Sequence, residues 1–191
     1  MAELKVLGIS GSLRKASYNT ALLNACAELM PAGMKMTGYA RLDDIPLFNQ
    51  DVFDAGMPES AKRFRAEVAA ADGVLIASPE YNFSLTPALK NAIDWASRPW
   101  GQNSFDHMPA AVCGASIGQI GTAVAQQSLR GVLSFCNARQ MTAPECYIQF
   151  TPEVFTASGD VTDESTRAFL TDFLNEFRIH TERVLTVIPR T

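Results

Sequence analysis

Apolar residues in this chain gather in short runs with few charges between them. Residues 4–9 (LKVLGI), 74–77 (VLIA) and 110–115 (AAVCGA) are nearly continuous apolar stretches, and only the first contains a charge. Runs of this length suit strands buried on both faces, as in a parallel sheet. Residues 34–40 and 141–149 are weaker strand candidates. Pro144 inside the second predicts a strand that is interrupted or lies near an edge.

Helical spacing fills the intervals. Residues 18–30 put Leu22, Cys26 and Leu29 on one face, and Pro31 stops them. Residues 58–71 do the same with Ala61, Phe64 and Val68, leaving Lys62, Arg63 and Glu67 for solvent, and Asp72-Gly73 ends the pattern. Residues 87–97 start with Thr86 as N-cap and Pro87 in the first turn, and should end near Arg98 because Pro99 follows. Residues 119–135 repeat Val124, Leu129, Val132 and Leu133. Residues 163–187 repeat Phe169, Leu170, Phe173, Leu174 and Phe177, with Asp163 and Glu164 at the end favoured by the helix dipole. Strands alternating with helices predict a three-layer α/β domain with right-handed crossovers. No repeat or linker divides the chain, so residues 1–191 read as one domain. The longest irregular stretches are 43–57, 98–108 and 150–162.

Composition narrows the picture. With 191 residues, 47% of them hydrophobic, the chain has enough material for a full core. A net charge of −4 gives no basic face for nucleic acid. No apolar run approaches the ~20 residues of a membrane helix, and the N-terminus reads as a strand rather than a signal peptide. Four cysteines occur without a CxxC pair. They are expected to be reduced, packed thiols of a cytoplasmic protein.

Each strong strand runs into a polar turn: Ser10-Gly11-Ser12, Ser78-Pro79-Glu80 and Ser116-Ile117-Gly118. In an open parallel sheet, ligands bind outside the carboxyl ends of the strands. Three segments far apart in sequence should therefore converge on one site. The first, GISGSLRKASYNTALL, leads into a helix N-terminus, where free N–H groups and the dipole attract anions. Ser10, Ser12, Ser17 and Thr20 add hydroxyls, Asn19 an amide and Arg14 a guanidinium that matches phosphate oxygens. The loop lacks the GKS or GKT of a P-loop, is not GxGxxG and has no cysteine. A monophosphate held without metal fits it; an N-capped solvent turn fits it equally.

The second segment, SPEYNFSLTPALKNAIDW, can offer backbone groups to a flat heterocycle, with Tyr81 and Phe83 as walls. It can also be a plain strand-to-helix loop. The third, GASIGQIGTAVAQQSLR, has glycines that allow close approach of a ring, or simply tight packing. His107 and His180 are isolated and read as surface or satisfied histidines. Trp95 and Trp100 read as packing or interface residues. Glu80 is a carboxylate that could serve as a general acid or base, although a loop carboxylate is usually just solvated.

Together these segments resemble the NADPH-dependent FMN reductase family, the flavodoxin-like group that includes bacterial quinone and chromate reductases. The matching residues are 8–14 (GISGSLR) with Ser17, Asn19 and Thr20, then 46–51 (PLFNQD), 79–84 (PEYNFS), 89–95 (LKNAIDW) and 114–118 (GASIG), over most of the chain to about residue 175. The resemblance implies a five-stranded parallel sheet of order 2-1-3-4-5. It also implies FMN, with its phosphate on Ser10, Ser12, Arg14, Ser17, Asn19 and Thr20 and its ring against Pro79, Glu80, Tyr81, Asn82 and Phe83, near Ser116. NADPH or NADH would be the electron donor, and quinones, chromate, azo compounds or free flavins the acceptors. The flavin would carry the chemistry, with no catalytic side chain or metal. Family members associate, so a homodimer or homotetramer is expected, motivated also by the helix around Leu89, Ile93 and Trp95 and by the aromatic loops at 81–83 and 100–105. The alternative function is a flavodoxin-type electron carrier. The chain departs from the family's pattern after Gly121, where Thr122 and Val124 stand in place of a glycine and an arginine, in a region that bears on assembly or on the second substrate.

Overall fold

Alternate residues of a strand point to opposite faces, and in the three central strands both faces are apolar. The computed structural model, which describes residues 3–39, 42–156 and 159–189, shows the result. In β1 (Leu4–Ser10), β3 (Gly73–Ala77) and β4 (Pro109–Ser116), Leu7, Ile9, Val74, Ile76, Ala110 and Val112 enter one core. Val6, Leu75, Ala77, Ala111, Cys113 and Ala115 enter the other. The first core is closed by α3 (Glu59–Ala69), α4 (Pro87–Ala96) and α5 (Ala123–Phe135). The second is closed by α1 (Tyr18–Glu28) and α6 (Glu164–Val187).

The sheet is parallel, in the order β2-β1-β3-β4-β5, where β2 is Met34–Tyr39 and β5 is Arg139–Gln140. A sixth strand, β6 (Cys146–Gln149), also pairs with β4. β5 lies against Pro109 and Ala110, and β6 against Cys113 to Ser116. The strand expected over 141–149 is realised only as β6 at its end, while β5 lies just before it along the same side of β4, with Pro144 in the gap. Proline cannot donate to a ladder, which is the physical reason for the break. The order matches the expected 2-1-3-4-5.

Other boundaries moved for local reasons. The stretch 43–57 holds a short helix, α2 (Gln50–Ala55), whose N-cap Asn49 accepts from Asp51 N at 2.8 Å. The fifth helix begins at Ala123 rather than 119, because residues 118–121 form a turn closed by Gly121 N donating to Gly118 O. The expected end of β2 at Ala40 lies outside the described residues. Leu89, Ile93 and Trp95 are buried in the first core, so that face of α4 is not an association surface. Phe105 is likewise buried, whereas Trp100 is 80% exposed.

Thr122 has a structural role here. It is fully buried, and its hydroxyl accepts from Gln126 Nε2 (3.1 Å), which also donates to Cys146 O (2.9 Å). A Cβ on Gly114 would collide with Thr122 Oγ1 and come within 2.8 Å of Ser78 O. Thr122 thus occupies the space that Gly114 leaves open. Gly114→Ala is expected to destabilise the chain by about 3 kcal/mol through overpacking. Adding Thr122→Gly should return part of that, with a coupling of at least ~1 kcal/mol in a denaturant double-mutant cycle. Additive effects would show that the two residues do not compete for this space.

Candidate functional site

β1, β3 and β4 end side by side, and the polar groups beyond their ends must find partners outside the ladder. They find them in one another's loops. Gly11 N donates to Ala77 O (2.8 Å), and Ser78 N donates to Cys113 O (3.2 Å). Thr86 Oγ1 donates to Gly11 O (2.6 Å) while also capping α4 at Leu89 N. Gly11 is boxed in: a Cβ there would lie 3.2–3.3 Å from Thr86, Leu89 and Pro79.

These bonds bring the three predicted loops together. A cleft of about 180 Å³ is lined by Ser12, Arg14, Ser17, Tyr18 and Asn19 from the first, Pro79, Glu80 and Tyr81 from the second, and Ala115, Ser116 and Ile117 at the third. A groove of about 480 Å³ adjoins it, sharing Arg14, Ser17 and Tyr18 and floored by Phe150. Tyr18, Phe150 and Phe155 stack at successive centroid distances of 4.3 Å, and the Arg14 guanidinium lies 5.2 Å from the Tyr18 ring centre.

The first loop is built as a donor cradle. Ser17 is the N-cap of α1, its Oγ accepting from Asn19 N (3.2 Å) and Thr20 N (3.3 Å). Ser10 Oγ bonds Thr20 Oγ1 at 2.8 Å and accepts from Ser12 N. Arg14 Nη2 donates to Ala16 O at 2.7 Å, which folds the guanidinium back over the loop. Among the described residues, the N–H groups of Leu13, Lys15, Ala16 and Tyr18 meet no acceptor. Orphan donors beside a guanidinium at a helix start are what a phosphate group satisfies.

Asn19 does something different from the rest. It is only 3% exposed, and its side chain forms a closed pair of bonds with β4: Nδ2 donates to Ala115 O, and Ala115 N donates to Oδ1, both at 3.0 Å. It ties the first loop to the end of β4, where the third loop begins.

The second loop is a tight hairpin. Tyr81 N donates to Ser84 O (3.0 Å) and Ser84 N to Tyr81 O (3.1 Å), with Asn82 and Phe83 at φ of 52° and 61°. A two-residue turn with both central φ values positive matches the twist of its arms, yet a phenylalanine there carries steric strain. The turn leaves Tyr81 (47% exposed) and Phe83 (70% exposed) open, and Tyr81 lines the cleft together with the exposed Ile117. The N–H groups of Glu80, Asn82 and Phe83 meet no acceptor among the described residues. Ser116 Oγ is used locally, accepting from Gly118 N at 3.1 Å.

Glu80 is not a free carboxylate. Its Oε2 accepts from Ala125 N at 2.9 Å, in the first turn of α5. Among the described residues lining the cleft, Arg14 and Glu80 are the only ionised ones. The histidines lie elsewhere and are satisfied: His107 Nδ1 bonds Arg139 Nη2, and His180 Nε2 bonds Arg139 O, each at 2.8 Å. All four cysteines are free and buried. Hydrogen bonding to Cys146 and burial push the Cys113 thiol up, and burial does the same to Cys26, so neither supplies a ready thiolate. No group of three or more possible metal ligands occurs among the described residues.

Tyr18, Ala115 and Ile117 also line the cleft; each falls within a predicted segment without a role of its own in the sequence pattern. A further hollow of about 300 Å³ beside Trp100 and Phe135 contains none of the loop residues.

The chain matches the family described as NADPH-dependent FMN reductase over residues 4–153. It is 42% identical over 174 residues to a 2-hydroxy-1,4-benzoquinone reductase from a Burkholderia species, covering 91% of this chain and 94% of that one. It is 43% identical over 182 residues to an NAD(P)H-dependent FMN reductase from Pseudomonas aeruginosa, covering 95% and 97%. Among solved structures, FerB from Paracoccus denitrificans, a flavoenzyme NAD(P)H:acceptor oxidoreductase, superposes with a TM-score of 0.89 at 40% identity, covering 94% and 98%.

Asn19→Ala would leave Ala115 N and O unpaired in a buried place. Its expected cost is about 3 kcal/mol, well above the ~1 kcal/mol of an ordinary hydrogen bond. Urea denaturation measures this, and a cost under ~1 kcal/mol would mean that the bridge does not hold the loops.

Proposed function

The chain belongs to the NADPH-dependent FMN reductase family, and from that premise we propose that residues 1–191 form one domain whose cleft binds FMN noncovalently in an NAD(P)H-dependent quinone reductase. The observation that carries this reading is the cleft that brings Arg14, Ser17 and Tyr18 to Glu80 and Tyr81, with the N–H groups of Leu13, Lys15, Ala16, Tyr18, Glu80, Asn82 and Phe83 lacking an acceptor among the described residues. The first four suit a phosphate, the last three the carbonyl and nitrogen edge of a flat heterocycle.

Ser12, Arg14 and the turn capped by Ser17 would hold the phosphate, and Ser10 and Thr20, bonded to each other, would support it from below. Asn19 would keep the third loop and Ser116 at the right distance. Pro79 to Phe83 would grip the ring edge with backbone groups. When bound, FMN supplies the redox chemistry, taking hydride from NAD(P)H and passing electrons to the acceptor. The protein positions the reactants and excludes competing approaches. No side chain need move a proton in the hydride step, in keeping with a Glu80 carboxylate already bonded to α5. Tyr81, Phe83 and Ile117 form one apolar wall for both planar substrates, so donor and acceptor take turns there. Small-molecule quinones are the acceptors; chromate, azo compounds and free flavins are further candidates for the same slot.

The family membership favours an enzyme over an electron carrier. Among the described residues no helix is long and apolar enough to cross a membrane. Together with four free buried thiols, this supports a cytoplasmic enzyme. Trp100 and Phe135, both exposed with ring centres 6.3 Å apart, support self-association as a homodimer or homotetramer.

Denaturation should release a flavin with the mass of FMN; FAD, or no flavin after reconstitution, would contradict the reading. Arg14→Ala removes charged hydrogen bonds of ~1.5–3 kcal/mol, so FMN should bind roughly ten- to a hundredfold more weakly to a folded chain. Arg14 is preferred to Ser17 for this test because losing the Ser17 cap also costs ~1 kcal/mol of helix. Steady-state kinetics with NADPH and a quinone should give parallel double-reciprocal lines, and Glu80→Gln should leave reduction by NADPH within about tenfold of wild type, short of the ~10²–10⁴ of a general acid or base.

A further inference from the structure

A helix start normally takes its cap from a neighbour in sequence. α5 does not. Its N-cap Thr122 makes no side-chain cap bond, its first turn has no acidic residue, and the Thr122 hydroxyl is held inward by Gln126 and by the packing over Gly114. The cap comes instead from Glu80 of the second loop, through the 2.9 Å bond from Ala125 N to Oε2. Glu80 lines that cleft together with Tyr81, Ser116 and Ile117, and the strained hairpin Tyr81–Ser84 follows it directly. The base of the second loop is anchored to β4 by Ser78 N, and its far end is anchored to the first loop by Thr86. Between these anchors, Glu80 is the residue that ties it to the third loop.

The geometry points to Glu80 as a positioning residue. By capping α5 its carboxylate holds the second loop, which lines the FMN cleft, against the element that follows the third, so that FMN affinity and order at the start of α5 are coupled. This inference rests on the FMN reading above and adds a role for a side chain that the chemistry itself does not use. A carboxylate suits the task better than a neutral acceptor because it also meets the positive end of the helix dipole.

The test separates a tie from a mere helix cap. In the full chain, hydrogen exchange at the Ala125 amide and FMN affinity of the apo protein are measured together. Glu80→Ala should speed exchange at Ala125 about tenfold or more and weaken FMN about tenfold. Glu80→Gln, which keeps an acceptor, should retain most of both. Glu80→Asp keeps the charge but shortens the reach, should lose part of both, and gives a folded variant should the alanine chain fail to fold. Ala123→Glu added to Glu80→Ala supplies a local acidic group to α5. It should restore protection at Ala125 without restoring FMN affinity. Wild-type FMN affinity in Glu80→Ala, or recovery of both properties with Ala123→Glu, would overturn the inference. A wild-type chain that binds no FMN would instead remove the functional reading, and this inference with it.

Discussion

Parallel strands that stop together leave a row of backbone polar groups with nothing further along the ladder to meet, and the whole site follows from how that row is satisfied. Gly11 N meets Ala77 O, Ser78 N meets Cys113 O, and the Asn19 side chain meets both backbone groups of Ala115. Each loop is bonded to a neighbouring strand or loop as well as within itself. These bonds, with the one from Ala125 N to Glu80, tie the three loops to the sheet edge and to one another. Because β1, β3 and β4 are buried on both faces, the cores on either side hold that edge rigid.

On this rigid edge the chain leaves some donors deliberately unmatched. The N–H groups before α1 and around the 81–84 hairpin have no partners among the described residues. Unpaired backbone groups are costly when buried, and here they remain at the mouth of a polar cleft where an anion and a heterocycle edge can take them up. The strained φ of Phe83 belongs to the same economy: the turn that displays the aromatic wall is also the turn that frees two amides. A cofactor that brings its own chemistry asks little else of the protein, which is why the cleft has no paired acid and base.

Much of this was legible in the sequence because it depends on local pattern. Apolar runs marked β1, β3 and β4, and the polar turns after them marked the edge where the loops meet. Pro144 foretold the broken outer strand. Bonds over long sequence distances were harder to see. Nothing near Glu80 signals that it caps a helix 45 residues later, and nothing near Asn19 signals its pair of bonds with Ala115. The Leu89, Ile93 and Trp95 face of α4 suggested an interface by its apolarity alone, while the same apolarity puts it in the core. Thr122 read as a departure from a family pattern, and only its fit over Gly114 shows what it replaces.

The central claim is that the first loop grips a phosphate, and the most direct measurement is calorimetric titration of the apo protein with FMN and with riboflavin, which share a ring system and differ in the phosphate. Several charged hydrogen bonds of ~1.5–3 kcal/mol each predict that FMN binds at least about a hundredfold more tightly, with the difference shrinking in Arg14→Ala. Equal affinity for the two ligands would contradict the account.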